Sequence, residues 1–481
     1  MSVERAELSD GRTLEYVMAP DPPAGGMMTT YFAPDKSYVV QFYHDQALSK
    51  DPTRRRRLEK IVGPCNPTTD PIYGDYWRKL LWWPSGIVVK PRLGIVCPTY
   101  RPNFFFSDGP FKGKEKEGNW FVLEKPRRML TDKDRGTWIN YFAICILIAR
   151  ALRRLHQFGL AFCDLTPHSL LLDPSLGECM IVIDVDGMVV PGIFPPDVMG
   201  TPGYIAPEVL QTLNLPINDP NRKHPSTATD LHALAVLIYQ YLLLRHPLRG
   251  PKVHSTVSTE EDDKLAMGAE ALFIENPNDK SNRPKELKIP YEVLGPLLSI
   301  EVRRAFVDGL HNPSKRPAAT EWERALCRTW DLKVDCQNPK CPSKWFIFQA
   351  TNPVCPFCGV RRTDTVPILK LRKQVQGRPG QWRVIREVVV HRDMQIFEWH
   401  VLDNKSPDES ANRTRLAYCS FYQGQWLLIN EGLTTLTSPT GNRVPLGQAV
   451  ALTHGAVFRF STDPHGYLAE VDLVNCSSAA P

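Results

Sequence analysis

The spacing of apolar residues changes at about residue 368 and divides the chain into a mixed part and a strand-rich part. Before that point, the long apolar run at 138–152 predicts a buried helix. After it, short apolar or alternating runs are broken by Gly, Asn, Pro and Asp, which is typical of an all-β sandwich or barrel. We therefore expect a multidomain α+β chain.

Residues 155–210 contain several short motifs in a fixed order. The run FCDLTPHS at 162–169 is followed by an apolar strand at 180–183, then by DVDG at 184–187 and APE at 206–208. In order and interval these resemble the catalytic loop, the metal-binding tripeptide and the substrate-side segment of protein kinases. The resemblance implies a bilobal protein-kinase-like fold.

The resemblance assigns a role to each matching position. Asp164 would accept the proton of the substrate hydroxyl, and Asp184 would hold magnesium, a hard cation that prefers oxygen ligands. Asp230 would anchor the backbone of the catalytic loop. Glu208 and Arg316 would form a largely buried ion pair, which is costly to break.

Other positions of the catalytic loop depart from the family. Thr166 stands where the family has lysine, and Ser169 stands where it has the asparagine that binds a second metal ion. Asp186 replaces a glycine. Residues two apart on a strand share a face, so Asp186 would lie beside Asp184 and replace the missing ligand. The alternative is that Asp186 is a turn residue before Gly187.

The small lobe departs further. The resemblance places a strand at 37–43, in which Gln41 occupies the place of the lysine that binds the nucleotide phosphates. A neutral amide binds phosphates less strongly than a charged group. Glu59 is the candidate for the helix glutamate that pairs with that lysine, or else a surface residue. Gly25 and Gly26 form a thin version of the phosphate-covering loop, although a plain turn explains them equally well.

The segment 82–100 predicts two strands that lead into the hinge between the lobes. The resemblance places Cys97 near the back of the adenine pocket and Thr99 and Tyr100 in the hinge itself. These three residues complete the expected nucleotide-binding set.

Two close pairs of cysteines follow the kinase-like part. Cys336 and Cys341 form the first pair and Cys355 and Cys358 the second, with a strand-like WFIF between them. The spacing resembles a zinc ribbon, and four thiolates would close the coordination shell of a structural zinc ion. Two disulfides are the alternative, which a reducing cytosol disfavours.

The last part of the chain resembles a forkhead-associated domain, a β-sandwich that reads phosphothreonine. The resemblance rests on the order WLLINEG, GNRVPLG and LTHGAVFRF at 426–460. Arg413 and Arg415 are the candidates for binding the phosphate. A β domain that docks another protein without reading phosphate is the alternative.

These signals predict the domain boundaries. We expect a kinase-like domain at 1–330 (small lobe about 1–100, large lobe about 101–330), a zinc ribbon at 331–362, a β domain at 366–475 and a disordered tail at 476–481. No hydrophobic targeting segment is apparent, which favours a cytoplasmic location. The net charge of +6, from 58 basic and 52 acidic residues, is too mild to favour nucleic acid as a partner.

Two functions remain open at this point. The first is an atypical serine/threonine kinase that uses ATP and magnesium, and the second is a pseudokinase scaffold that acts through the ribbon and the β domain. The three-module arrangement resembles bacterial kinases of tellurite-resistance and stress systems, which implies a von Willebrand-type protein and a phosphatase as partners. Residues 188–199 contain no Ser, Thr or Tyr, so we expect control by partners rather than by phosphorylation there.

Overall fold

The computed structural model describes residues 2–25, 27–44, 51–193, 195, 200–375, 377–378 and 380–477. The chain forms two compact units. The first comprises Met1–Gly136, Ala143–Leu287 and Val302–Glu321, and the second comprises Thr137–Phe142, Lys288–Glu301 and Trp322–Pro481. The expected boundaries at 330, 362 and 475 stay predictions. Within the expected tail, 478–481 lie outside the described residues.

The first unit contains two sheets. Its strands are β1 Val3–Leu8, β2 Thr13–Val17, β3 Met28–Phe32, β4 Tyr38–Tyr43, β5 Leu81–Trp82, β6 Gly86–Lys90, β7 Gly94–Pro98, β8 Leu170–Asp173 and β9 Glu178–Val182. Six of them form an antiparallel sheet in the order β2-β1-β6-β7-β4-β3, and the other three form a sheet in the order β5-β9-β8. The strands predicted at 37–43 and within 82–100 are confirmed.

The two faces of β4 have different surroundings. Val40 and Phe42 belong to an apolar cluster with Tyr16 and Val96. Because side chains alternate along a strand, Gln41 and its neighbours two residues away lie on the opposite face. That face is the one the kinase resemblance assigns to the nucleotide.

Helices make up most of the remaining regular structure. They are α1 Pro52–Val62, α2 Gly74–Leu80, α3 Glu124–Arg128, α4 Asp132–Arg135, α5 Trp138–Gln157, α6 Pro207–Leu210, α7 Thr227–Leu243, α8 Thr259–Met267, α9 Pro296–Arg303, α10 Ala319–Trp330 and α11 Glu398–Val401. The side chain of Asp51 accepts a hydrogen bond from the Thr53 N–H and so caps α1. The helix predicted from the apolar run at 138–152 is confirmed as α5.

The second unit is rich in strands. They are β10 Lys333–Asp335, β11 Trp345–Ile347, β12 Thr365–Gln374, β13 Trp382–Val389, β14 Gln395–Ile396, β15 Ala417–Tyr422, β16 Gln425–Asn430, β17 Ala449–Ala451, β18 Val457–Arg459 and β19 Leu468–Asn475. Strands β10 and β11 form a hairpin, and two antiparallel sheets follow in the orders β13-β12-β19-β18 and β14-β15-β16-β17. Leu369 and Phe458 of one sheet share a buried core with Ala417 and Leu428 of the other.

Candidate active site

The backbone of the catalytic loop is fixed by a buried carboxylate of α7. Asp230 accepts hydrogen bonds from the N–H of Phe162 at 2.7 Å and of Cys163 at 2.9 Å. His156 Nε2 lies 3.0 Å from the same side chain. The anchoring role expected of Asp230 is therefore confirmed, and it holds Asp164 at a defined place.

Asp164 joins the catalytic loop to the substrate-side segment. Its Oδ1 accepts a hydrogen bond from the Thr201 N–H at 2.9 Å, and its Oδ2 accepts one from Thr201 Oγ1 at 3.2 Å. The side chain is only partly buried. A carboxylate has about four lone-pair positions, so Asp164 keeps capacity to accept a proton from another hydroxyl.

Thr166 and Ser169 hold the short turn at the end of the catalytic loop. Ser169 Oγ accepts a hydrogen bond from the Thr166 N–H at 3.1 Å and donates one to the Thr166 carbonyl at 2.8 Å. The buried Thr166 Oγ1 accepts one from the His168 N–H. A hydroxyl has one proton and two lone pairs, so Ser169 keeps one lone pair for a metal ion.

Asp184 and Asp186 have different environments. Strand β9 ends at Val182, and the residues after it form a turn in which Asp184 Oδ1 accepts the Asp186 N–H at 3.0 Å. Asp184 is exposed, whereas Asp186 is buried. The expectation that both side chains share a strand face is therefore wrong, and the turn interpretation of Asp186 is the one the structure supports.

The carboxylate of Asp186 is directed at β4 and α1. Its Oδ1 accepts a hydrogen bond from Tyr43 Oη at 3.0 Å and lies 2.7 Å from Arg54 Nη1. Burial raises the pKa of Asp186 to about 6, and the adjacent Arg54 opposes this rise. Asp186 is therefore engaged as an ion-pair partner rather than presented beside Asp184 as a second metal ligand.

The structure does not bring Gln41 and Glu59 together. Gln41 Nε2 donates a hydrogen bond to Thr30 Oγ1 at 3.0 Å on the neighbouring strand. Glu59 lies on the exposed face of α1, where it pairs with Arg55 at 3.0 Å. Gly25 donates its N–H to the Met28 carbonyl in the turn before β3.

Gly26, the other glycine expected in the phosphate-covering loop, lies outside the described residues.

The buried residues of α1 were not predicted from the sequence. Arg54, Arg57, Leu58 and Ile61 are its buried residues, at spacings of three, one and three. A run of four arginines is typical of a solvated helix face. The helical spacing to Leu58 and Ile61 was the signal that two of those arginines share the apolar face.

The three residues expected in or near the hinge are held in different ways. Cys97 is fully buried, and burial raises the pKa of its thiol. Thr99 donates its N–H to the Ser37 carbonyl at 3.2 Å. The Tyr100 ring lies edge-on to Trp82 at 5.1 Å between centroids, and Trp82 Nε1 donates to the Pro98 carbonyl at 2.6 Å.

Part of the chain is similar to known proteins. Residues 123–326 match the sequence model of the family described as protein kinase domain. Serine/threonine-protein kinase PknD of Chlamydia felis is 27% identical over 152 residues, which cover 28% of this chain and 15% of PknD. Human serine/threonine-protein kinase Sgk2 is 26% identical over 188 residues, which cover 33% of this chain and 46% of Sgk2. Residues 123–326 of this chain are therefore similar to the protein kinase domain.

One solved structure is also similar to this kinase-like protein. The crystal structure of the Toxoplasma gondii specific rhoptry antigen kinase domain has 14% sequence identity and a TM-score of 0.39. The alignment covers 67% of this chain and 85% of that chain. The chain spans less than half of the length of these two curated relatives, 15% of PknD and 46% of Sgk2.

The four cysteines of the kinase-like protein form one cluster. Their sulfur atoms all lie within 4.8 Å of one another. Cys336 Sγ and Cys358 Sγ are 3.5 Å apart, and Cys341 Sγ and Cys355 Sγ are 3.8 Å apart. A disulfide would need about 2.0 Å, whereas four thiolates on a tetrahedral zinc ion stand about 3.8 Å apart. The four thiols could therefore hold a metal ion together, and their separations are compatible with zinc.

The two arginines considered for phosphothreonine differ in their surroundings. Arg415 Nη2 donates to Glu431 Oε1 at 2.6 Å, and its guanidinium lies over the Tyr418 ring. Arg413 is exposed. Arg413 is therefore the more available of the two for an added anion.

Within the part of the chain that the structure describes, no helix is both long enough and apolar enough to span a membrane.

Proposed function

We propose that this kinase-like protein is an atypical serine/threonine protein kinase. The observation that carries the proposal is the pair Asp164 and Asp184, which are both at least partly accessible and both held by backbone N–H groups. In the transfer, the substrate hydroxyl oxygen bonds to the γ-phosphorus of ATP, the bond from that phosphorus to the β–γ bridging oxygen breaks, and ADP leaves. The hydroxyl proton passes to Asp164.

Asp184 and Ser169 have the donor set for magnesium. Asp184 Oδ2 and one lone pair of Ser169 Oγ are free of the turn hydrogen bonds described above, and oxygen is the ligand that magnesium prefers. Magnesium would neutralise the charge on the phosphates. Gln41, Cys97, Thr99 and Tyr100 stay proposals for the nucleotide pocket, and Thr166 supports the turn that carries Ser169.

Phosphotransfer from γ-labelled ATP tests the proposal. Asp164→Asn keeps an acceptor for Thr201 but cannot take up a proton, so we expect the rate to fall at least about a hundredfold. Asp263→Asn is the matched control, because Asp263 is an exposed aspartate paired with Arg249. Equal rates for Asp164→Asn and the parent would overturn the assignment of the base.

The second candidate is a pseudokinase scaffold, which two observations favour. The Gln41 amide is already bonded to Thr30, and the hinge carbonyl of Pro98 is already bonded to Trp82. Such a protein would bind partners through the ribbon and the β domain. ATP binding that is absent at millimolar concentration would select this function.

We further propose the finer features that the resemblances imply. The cysteine cluster would hold a structural zinc ion, and the β domain would read phosphothreonine through Arg413. The chain would act in the cytoplasm in bacterial signalling or stress, with a von Willebrand-type protein and a phosphatase as partners. Binding of a phosphothreonine peptide, compared between the parent and Arg413→Gln, tests the β-domain assignment.

A further inference from the structure

Three side chains from separate elements meet in one buried cluster of the first unit. Tyr43 comes from the end of β4, Arg54 from the first turns of α1, and Asp186 from the turn after β9. Tyr43 Oη and Arg54 Nη1 both contact Asp186 Oδ1, at 3.0 and 2.7 Å. The Arg54 guanidinium also lies 4.7 Å from the centre of the Tyr43 ring. Each pair of the three is therefore in contact.

Because the cluster is buried, the loss of any one of its charged members is unfavourable. The side chains of Arg54 and Asp186 are each only 10% exposed. A carboxylate taken out of water is unfavourable unless a charge and hydrogen bonds compensate, and removal of one partner leaves the other uncompensated. The position of Asp186 is therefore tied to that of α1. Arg57 Nη1, 3.5 Å from the Asp186 carbonyl, lies on the same side of the helix.

The cluster extends to the proposed metal ligand. The Asp186 N–H donates a hydrogen bond to Asp184 Oδ1 at 3.0 Å. One oxygen of Asp184 is therefore oriented by the residue that Arg54 and Tyr43 hold. A displacement of the Asp186 backbone would turn the Asp184 carboxylate as well.

Gln41 and Glu59, the two residues expected to join β4 to α1, have other partners. Gln41 is bonded to Thr30 within the sheet, and Glu59 is paired with Arg55 on the exposed face of α1. Neither of these contacts reaches the turn that carries Asp184. A connection between β4, α1 and that turn therefore has to come from other residues.

We infer that Tyr43, Arg54 and Asp186 together replace the strand-lysine and helix-glutamate pair, and that Arg54 is a positioning residue for Asp184. The polarity is reversed, because the cation comes from the helix and the anion from the turn after β9. No lysine on β4 is then needed to couple α1 to the metal ligand. The inference rests on the proposed function, since it concerns how Asp184 is held for a magnesium nucleotide.

The test measures ATP binding to the full chain by calorimetry at a series of magnesium concentrations. Loss of an outer partner of a metal ligand weakens metal binding about tenfold to a hundredfold, so Arg54→Gln should weaken the magnesium dependence about tenfold or more. Arg54→Lys keeps the charge and should recover most of the loss. Arg55→Gln is the matched control, because Arg55 is the adjacent, exposed arginine of the same helix.

Each outcome decides between the possibilities. The same magnesium dependence in Arg54→Gln as in Arg55→Gln would overturn the inference and leave the proposed function intact. If Arg54→Gln does not fold, Tyr43→Phe decides, because it removes one hydroxyl only: a weaker magnesium response supports the inference and an unchanged one overturns it. Absence of ATP binding in the parent would instead reject the proposed function, and the inference with it.

Discussion

Arg316 donates two hydrogen bonds of 2.7 Å to the two carboxylate oxygens of Glu208, a residue 108 positions earlier in the chain. The Arg316 side chain is almost fully buried. Breaking one partner of a buried pair is costly, so Arg316→Met should lower the free energy of unfolding by about 3 kcal/mol. Denaturant unfolding measures this. Arg249→Gln, which breaks an exposed pair with Asp263, should cost under about 1 kcal/mol, and equal losses would contradict the account.

Asp230 should govern the mobility of the catalytic loop. Asp230→Asn retains one acceptor oxygen but turns an N–H group toward one of the two loop N–H donors, so one hydrogen bond is lost. We expect faster hydrogen exchange at the Phe162 and Cys163 amides, with α7 otherwise protected. Unchanged exchange at both amides would show that other contacts hold the loop.

The cysteine cluster should determine the zinc content of the chain. We expect one zinc ion per chain in the parent and none in Cys355→Ser, as measured by mass spectrometry of bound metal. Removal of zinc with a chelator should lower the melting temperature of the parent, because binding to the folded site adds to folding free energy. Cys65→Ser serves as the control, since Cys65 lies outside the cluster. A parent chain without metal would reject the zinc assignment.

Acid should destabilise the unit that contains His246. Burial lowers the pKa of His246 to about 4 from an ordinary value of 6.5, although its hydrogen bond to the Gly203 carbonyl opposes the shift. Between these values the unfolded chain binds a proton that the folded chain does not. The free energy of unfolding should therefore fall as the pH falls from 6.5 to about 4.

His246→Gln keeps a donor for Gly203 and removes the titrating group, so its unfolding free energy should depend less on pH in that window. Burial also lowers the pKa of His232, so part of the dependence should remain. A slope identical to that of the parent would contradict the assignment to His246. Denaturant titrations at several pH values supply the comparison.

The order of motifs was enough to predict the catalytic loop and its supports. Asp230 and the Glu208–Arg316 pair lie where the kinase resemblance placed them, because these roles depend on local backbone geometry and on one long-range ion pair. The helix α5 also followed from its long apolar run. The four cysteines could be recognised as a candidate metal site from the spacing of the two pairs along the sequence, and their sulfur atoms lie together in the structure.

The surroundings of Asp186 could not be predicted in the same way. Its partner Tyr43 lies 143 positions earlier, and nothing in the local sequence shows that the two side chains meet. The strand rule failed because β9 ends at Val182, before the first aspartate. Arg54 was missed because a run of four arginines suggests solvent, whereas only the register of α1 shows which of them face inward.

Calorimetry of ATP binding with and without magnesium, on the parent and on Asp184→Asn, tests whether this chain binds a magnesium nucleotide through Asp184. We expect binding that depends on magnesium in the parent and loses that dependence in Asp184→Asn, because the amide lacks the charge that holds the cation. No detectable binding at millimolar ATP would contradict the kinase assignment and leave the scaffold as the function of this chain.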